Sequence, residues 1–271
     1  MITIKTSETN PILVEIYITS PSVYLDYSAI AMLSQDDVRA KSFRNILVGK
    51  NGTLVVSSAH LIEACGLGLG PTFSKIKSFL DSLDNRFAFL NFNPDEVIAK
   101  EKQWKPNDPS PVLDLVLTKE VFRQWSGLSP LTAGTLLVNF QNNPDLSQRY
   151  KEIQTTHKTN LKIMFDNARN EYRNNPIVRR NIDNRNCFDQ NFNRTEQVYC
   201  LLRRETIRTN EVFNDSDGFD LWHSVVAVSH MDYIVHDKKW ARRLRAINPP
   251  TRTSTVFAGI EMDLFLKSLA G

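Results

Sequence analysis

Apolar positions fall into short blocks at the two ends of the chain and into helical spacing through its middle. Strands are expected at 11–20, 22–26, 53–58, 87–92, 233–236 and 253–257, where Val, Ile, Tyr, Phe and Leu cluster between turn residues. Short helices are expected after Asp26 and at 118–125 and 130–140, a longer one at 146–172, and others at 36–48, 59–65, 72–83, 195–212, 219–231 and 260–269. The helix at 72–83 is the clearest, with Phe73, Ile76, Phe79, Leu80 and Leu83 on one face. Pro94, Pro106, Pro109 and Pro111 punctuate a stretch that reads as loop, and the Asn- and Arg-rich residues 174–193 read as irregular.

Strands and helices alternate at both ends, and the middle is mostly helical. This order predicts an α/β protein of three layers, α/β/α, with a central, mostly parallel sheet. Residues 11–69 and 211–271 form the two parts of that domain, and 70–210 are a mainly helical insertion. Gly66, Gly68 and Gly70 do not make a phosphate loop, because they follow a helix and precede Pro71.

The helix expected from Asp220 to Met231 runs ~17 Å one way. The strand from Asp232 to Asp237 runs ~17 Å back. The equal legs bring Asp220 and Asp237 to one edge of the sheet and leave Asp232 at the other. Asp26 closes the 22–26 strand, and Glu63 lies just past the first turn of the 59–65 helix. Ligands bind outside the carboxyl ends of strands in open α/β sheets, so all four acids can face one crevice. Clustered carboxylates need a counterion or a proton, and a divalent cation is the usual solution in a nuclease. Each acid has a plainer reading: Asp26 as a helix cap, Glu63 in a salt bridge, Asp237 paired with Lys238 or Lys239. Asp217 can assist or replace Asp220. His60 and His223 share helix faces with Glu63 and Asp220 and are expected to orient those acids or to pack. An all-carboxylate set favours Mg²⁺ or Mn²⁺ over Zn²⁺.

In order and spacing these acids resemble those of the PIN-domain nucleases. In this sequence 37 residues separate Asp26 from Glu63, and 17 separate Asp220 from Asp237. The likeness covers about 20–66 and 215–260. It implies a PIN-like fold and a metal-dependent endoribonuclease, with Asp26, Glu63, Asp220 and Asp237 as catalytic metal ligands. It also implies products with 5′-phosphate and 3′-hydroxyl ends. The insertion is expected to act either as a lid or substrate clamp beside the site, or as an interface for a homodimer or a regulatory protein such as the inhibitor that often accompanies PIN-like toxins. DNA as substrate, and a nuclease-like module that binds nucleic acid or protein without cutting, stay open.

Charge changes this picture modestly. The net charge of +3 is too small to prove a nucleic-acid partner. However, nine arginines and no lysine lie between Arg169 and Arg208, against five acids. Arginine forks suit phosphate oxygens. Arg179 and Arg180 from this stretch, and Lys238, Lys239, Arg242 and Arg243 beside Asp237, are the candidate nucleic-acid contacts; a solvated helix face is the alternative. Three cysteines, Cys65, Cys187 and Cys200, without metal-like spacing read as reduced thiols. No run approaches the ~20 apolar residues that span a membrane, and no signal peptide is evident. A cytoplasmic protein is therefore expected.

Overall fold

The computed structural model describes residues 1–7, 10–66, 68, 70–106, 108–123, 131–247 and 254–271, the side chains of 3–14 excepted. Its strands are β1 (Ile2–Ser7), β2 (Asn10–Ile16), β3 (Ser22–Leu25), β4 (Thr53–Val56), β5 (Phe87–Phe89), β6 (Tyr233–His236) and β7 (Thr255–Ala258). The first helices are α1 (Tyr27–Gln35), α2 (Asp37–Gly49), α3 (Ser58–Gly66) and α4 (Pro71–Asp81). Next come α5 (Pro94–Gln103), α6 (Leu115–Arg123), α7 (Ala133–Gln141), α8 (Pro144–Asn174), α9 (Pro176–Asp183) and α10 (Arg194–Arg208). The last are α11 (Asp217–His230), α12 (Lys238–Ala246) and α13 (Met262–Ala270). Residues 67, 69, 124, 125, 130 and 253, which belonged to expected elements or the glycine-rich break, lie outside the described residues.

Five strands pair in parallel in the order β5-β4-β3-β6-β7. The chain winds outward from β3 to β5, then returns to the other side of β3. This is the doubly wound pattern, and its direction reverses between β3 and β6. The four- and three-residue strands are short; β3, β4, β5 and β6 are buried at all but Tyr233, as expected of a sheet covered on both faces, while the edge strand β7 is only partly covered. The pleat divides their side chains. Val23, Leu25, Leu54, Val56 and Val235 enter one core, with α1, α2, α4, α7 and α13. Tyr24, Val55 and Ile234 enter the other, with α10, α11 and α12. Helix α11 is buried on nearly every side, because it lies under α8, α10 and α12.

Three expectations need correction. The strand expected at 11–20 is not part of the main sheet; β2 pairs antiparallel with β1 as a separate hairpin. The loop expected around Pro94 contains α5, and the irregular stretch 174–193 contains α9. In both, proline occupies the first helical turn after an asparagine whose side chain accepts backbone N–H bonds, from Asp95 at 3.1 Å and from Ile177 at 3.0 Å. Proline there opens a helix instead of breaking one. Strand β5, from the expected insertion, forms an edge of the main sheet, so the purely helical block starts after it.

Cys187 and Cys200 are joined as a disulfide, which corrects the expectation of three free thiols. The turn between α9 and α10 brings their Cα atoms to 5.4 Å. Cys65 is free and buried. No helix among the described residues is long and apolar enough to cross a membrane.

Candidate acidic site at the sheet edge

The crossover between β3 and β6 sets the geometry. Leu25 pairs with Val235, and the Asp26 N–H continues the ladder by donating to the Val235 carbonyl at 2.8 Å. Asp26 and Asp237 therefore leave adjacent strands side by side, at the reversal point of the sheet. The Asp26 carboxylate does not cap α1; it accepts from the Ser28 hydroxyl at 2.8 Å. Asp237 does cap a helix: Oδ1 accepts the Trp240 N–H at 3.0 Å, which starts α12. Its second oxygen faces His236, 3.3 Å from Nδ1.

His236 is the site residue the sequence did not single out. It is buried, and Nδ1 also lies 3.8 Å from an Asp26 oxygen. One atom from each of Asp26, His236 and Asp237 falls within 4.8 Å of the others, a spacing that can hold a cation. Nδ1 is also 2.9 Å from the Asp237 N–H. Unprotonated, it accepts that hydrogen; protonated, it donates to the carboxylates. Burial pulls the imidazole pKa down, but Asp26, the bond to Asp237 and the charge of Asp220 outweigh burial and carry it to about 9. Conversely, burial pushes Asp237 up, while His236 and the Trp240 N–H hold it at about 2. In the protein without a cation, the proton on His236 occupies the place between the two acids.

Glu63 and Asp220 line the same small crevice as Asp26 and His236, with Tyr24, Tyr27 and Phe219 among its walls. They stand outside the tight group of three. The crevice has room for a water or an ion and far too little for an organic cofactor. Burial, then the charge of Asp26, pushes Glu63 up to about 7, against the opposing pull of Lys158. Burial raises Asp220 to about 6, with Asp26 and Asp237 adding to it and His236 opposing. Among the described residues, none of the four acids has a Lys or Arg nitrogen within 4.0 Å.

The residues expected to assist divide into three groups. His60 donates from Nε2 to the Leu25 carbonyl at 2.7 Å and accepts the Ser57 N–H at Nδ1, so it fixes the end of β3 just before Asp26. It orients that acid through the backbone. His223 lies within hydrogen-bond distance of the Tyr24 and Ser57 hydroxyls, at 3.1 and 3.2 Å, and stacks on Phe92. Burial drives both imidazoles down, which keeps them neutral. Asp217 is buried and bound to Lys239 at 2.5 Å, and it accepts the Asn214 N–H at 2.7 Å. It anchors the start of α11 and does not replace Asp220. Asp232 sits at the opposite edge, where it accepts from the Ser22 N–H at 2.8 Å.

The basic candidates also separate. Arg243 is not a surface cation: its side chain is 4 % exposed, packed on Trp240 and bonded to Glu211 at 2.9 Å. The face of α12 that buries Trp240 and Leu244 carries Arg243 inward with them. Lys239 is committed to Asp217, and Arg242, though exposed, pairs with Glu211. Lys238 is exposed. Arg179 lies over the Tyr172 ring and donates to the Tyr172 and Arg173 carbonyls, while Arg180 is exposed on the same helix.

Compared with models of known families, with curated proteins and with solved structures, the chain matches none. The reading of its site rests on its own geometry.

Proposed function

We propose that this chain is a divalent-metal-dependent endonuclease of PIN-like type, acting on RNA. The observation that carries the reading is the placement of Asp26, Glu63 and Asp220 in one crevice at the reversal point of the sheet, with Asp237 beside Asp26 and no Lys or Arg partner within 4.0 Å among the described residues. The donor set suits an ion of the Mg²⁺ or Mn²⁺ class: Asp26 and Asp237 would hold it first, with Glu63 and Asp220 from the crevice wall. His236 adds a nitrogen once its proton leaves, which favours Mn²⁺ over Mg²⁺. When bound, such an ion polarises a phosphoryl oxygen and acidifies a coordinated water. The chain's own part is to keep the acids in place through the β3–β6 ladder, the Leu25–His60 bond and the α12 cap. In the metal-free protein burial raises Glu63 and Asp220 to about 7 and 6, so both are poised to lose their protons to a bound cation near neutral pH. RNA is preferred to DNA on the resemblance alone.

The test is cleavage of a labelled single-stranded RNA in Mn²⁺ and in EDTA, beside a matched DNA. Equal rates in Mn²⁺ and EDTA would refute the mechanism. A second reading, a module that binds nucleic acid or protein without cutting, draws on His236, whose charge neutralises part of the cluster without metal. Titration with Mn²⁺ separates the two, because a built metal site raises the melting temperature by mass action.

A further inference from the structure

The buried stripe of α8 runs through Ser147, Gln154, Leu161, Phe165 and Arg169, with half-buried Tyr150 packed on the core. The steps of three and four between these positions define one helix face. Lys158 lies on that face, one turn after Gln154 and one before Leu161. An aliphatic residue would suit a core-facing position there. A lysine persists at such a place when its stem is covered and its ammonium reaches something polar. Helix α8 packs on α3 and α11, the helices that carry Glu63 and Asp220. The Lys158 ammonium stands 5.5 Å from the centre of the Phe219 ring, and Phe219 is a wall of the acidic crevice.

Lys158 has no carboxylate within 4.0 Å among the described residues, unlike its neighbour Lys162, which is 3.2 Å from Asp166 and 3.6 Å from Asp215. Its charge nonetheless reaches Glu63 and His223. The ammonium lies over the face of Phe219, a wall of the crevice, which attracts it without neutralising it.

We propose that Lys158, supplied by α8 of the helical block, contacts a non-bridging oxygen of the phosphodiester presented to the acidic crevice. The inference rests on the nuclease reading and deepens it. A crevice lined by Asp26, Glu63 and Asp220 repels a polyanion, and an ammonium beside its Phe219 wall supplies the point charge that draws the phosphate in. The insertion is then part of the substrate site, and α8 is its roof.

The experiment measures binding of a short single-stranded RNA in Ca²⁺ by fluorescence anisotropy, with wild type, Lys158→Gln and Lys158→Arg. A second RNA carries one uncharged methylphosphonate at the linkage that wild type cuts in Mn²⁺; if there is no cut, the replacement is scanned along the strand. Lys158→Gln is expected to bind the native RNA about tenfold more weakly, the size of a lost charge-assisted hydrogen bond. Its salt slope should fall by roughly 0.7. Lys158→Arg should recover part of the loss. On the methylphosphonate RNA, wild type and Lys158→Gln should bind alike. The melting shift with Mn²⁺ should persist in Lys158→Gln, which shows that fold and acids are intact. Wild-type affinity and cleavage in Lys158→Gln would overturn the proposal and leave the nuclease reading standing. An equal loss on both RNAs would overturn it in favour of a packing role. Phosphate-dependent binding through Lys158 without cleavage by wild type would uphold the contact and remove the nuclease reading. No RNA binding by wild type would remove both.

Discussion

Replacing Glu63 by Gln removes one buried charge at nearly constant shape. In the folded protein the Glu63 carboxyl is raised from 4.5 to about 7, first by burial and then by Asp26, against Lys158. Between those values the native state holds a proton that the unfolded chain has released. Stability from this group is therefore present below pH 4.5 and is lost as pH rises through 7. The shift corresponds to about 3 kcal/mol. Glutamine has nothing to titrate. Without metal, Glu63→Gln should match wild type near pH 4.5 and exceed it above pH 7. For a chain of this size the gain is roughly 6–12 °C in melting temperature. Added Mn²⁺ should narrow the gap. At a hundred times its dissociation constant it stabilises wild type by about 2.7 kcal/mol, and the variant by less. Thermal unfolding at pH 4.5 and 8, with EDTA or Mn²⁺, reads both effects. An advantage of equal size at the two pH values, or a less stable variant at pH 8 in EDTA, would refute the reasoning.

Asp26→Asn and Asp237→Asn should fold, with cleavage of labelled RNA falling to background. Because His236 titrates at about 9, its contribution is complete below pH 6.5 and disappears as pH rises through 9; metal-free melting curves should show that decline, and His236→Asn should flatten it. Over the same range Mn²⁺ affinity should rise with pH in calorimetric titrations, because the proton must leave before the nitrogen can bind. Arg243→Ala should act on stability and not on RNA affinity, costing about 1–2 kcal/mol in urea unfolding, mainly through the lost packing on Trp240, since Glu211 keeps Arg242. Replacing both Cys187 and Cys200 by Ser opens a loop with a sequence separation of 13 residues and should cost about 3 kcal/mol in the same assay.

The juxtaposition of the acids was readable because it follows from lengths. A helix and a strand of equal reach return the chain to one edge, and both Asp26 and Asp237 directly follow strands. His236 was not readable, because a histidine ending a strand acquires meaning only when Asp26 arrives from the far end of the chain. Lys158 lay on a legible helix face, but nothing in the sequence says which elements that face meets. The basic run after Asp237 misled for a physical reason: consecutive residues on α12 point 100° apart, so Arg243 turns inward while Arg242 stays out. Its partner, Glu211, comes from the segment before α11. At Pro94 the error was one of sign, since the asparagine before the proline marks a helix start, and Asn175 before Pro176 marks another inside the stretch read as irregular.

The pairing of β3 with β6 has a temporal consequence. Val23 lies opposite Tyr233 in the ladder, so β3 and β6 are separated by most of the chain. During synthesis, β3 can pair with β4 and β5 early, but its other edge stays open until the C-terminal part leaves the ribosome. At bacterial-to-eukaryotic elongation rates that interval is roughly 10–40 s. For its duration an apolar strand edge is available to neighbouring nascent chains. The acidic site cannot exist in the same interval, since His236 and Asp237 have not yet been made. A fragment ending before β6 would therefore lack the Asp26–His236–Asp237 group and keep that apolar edge open.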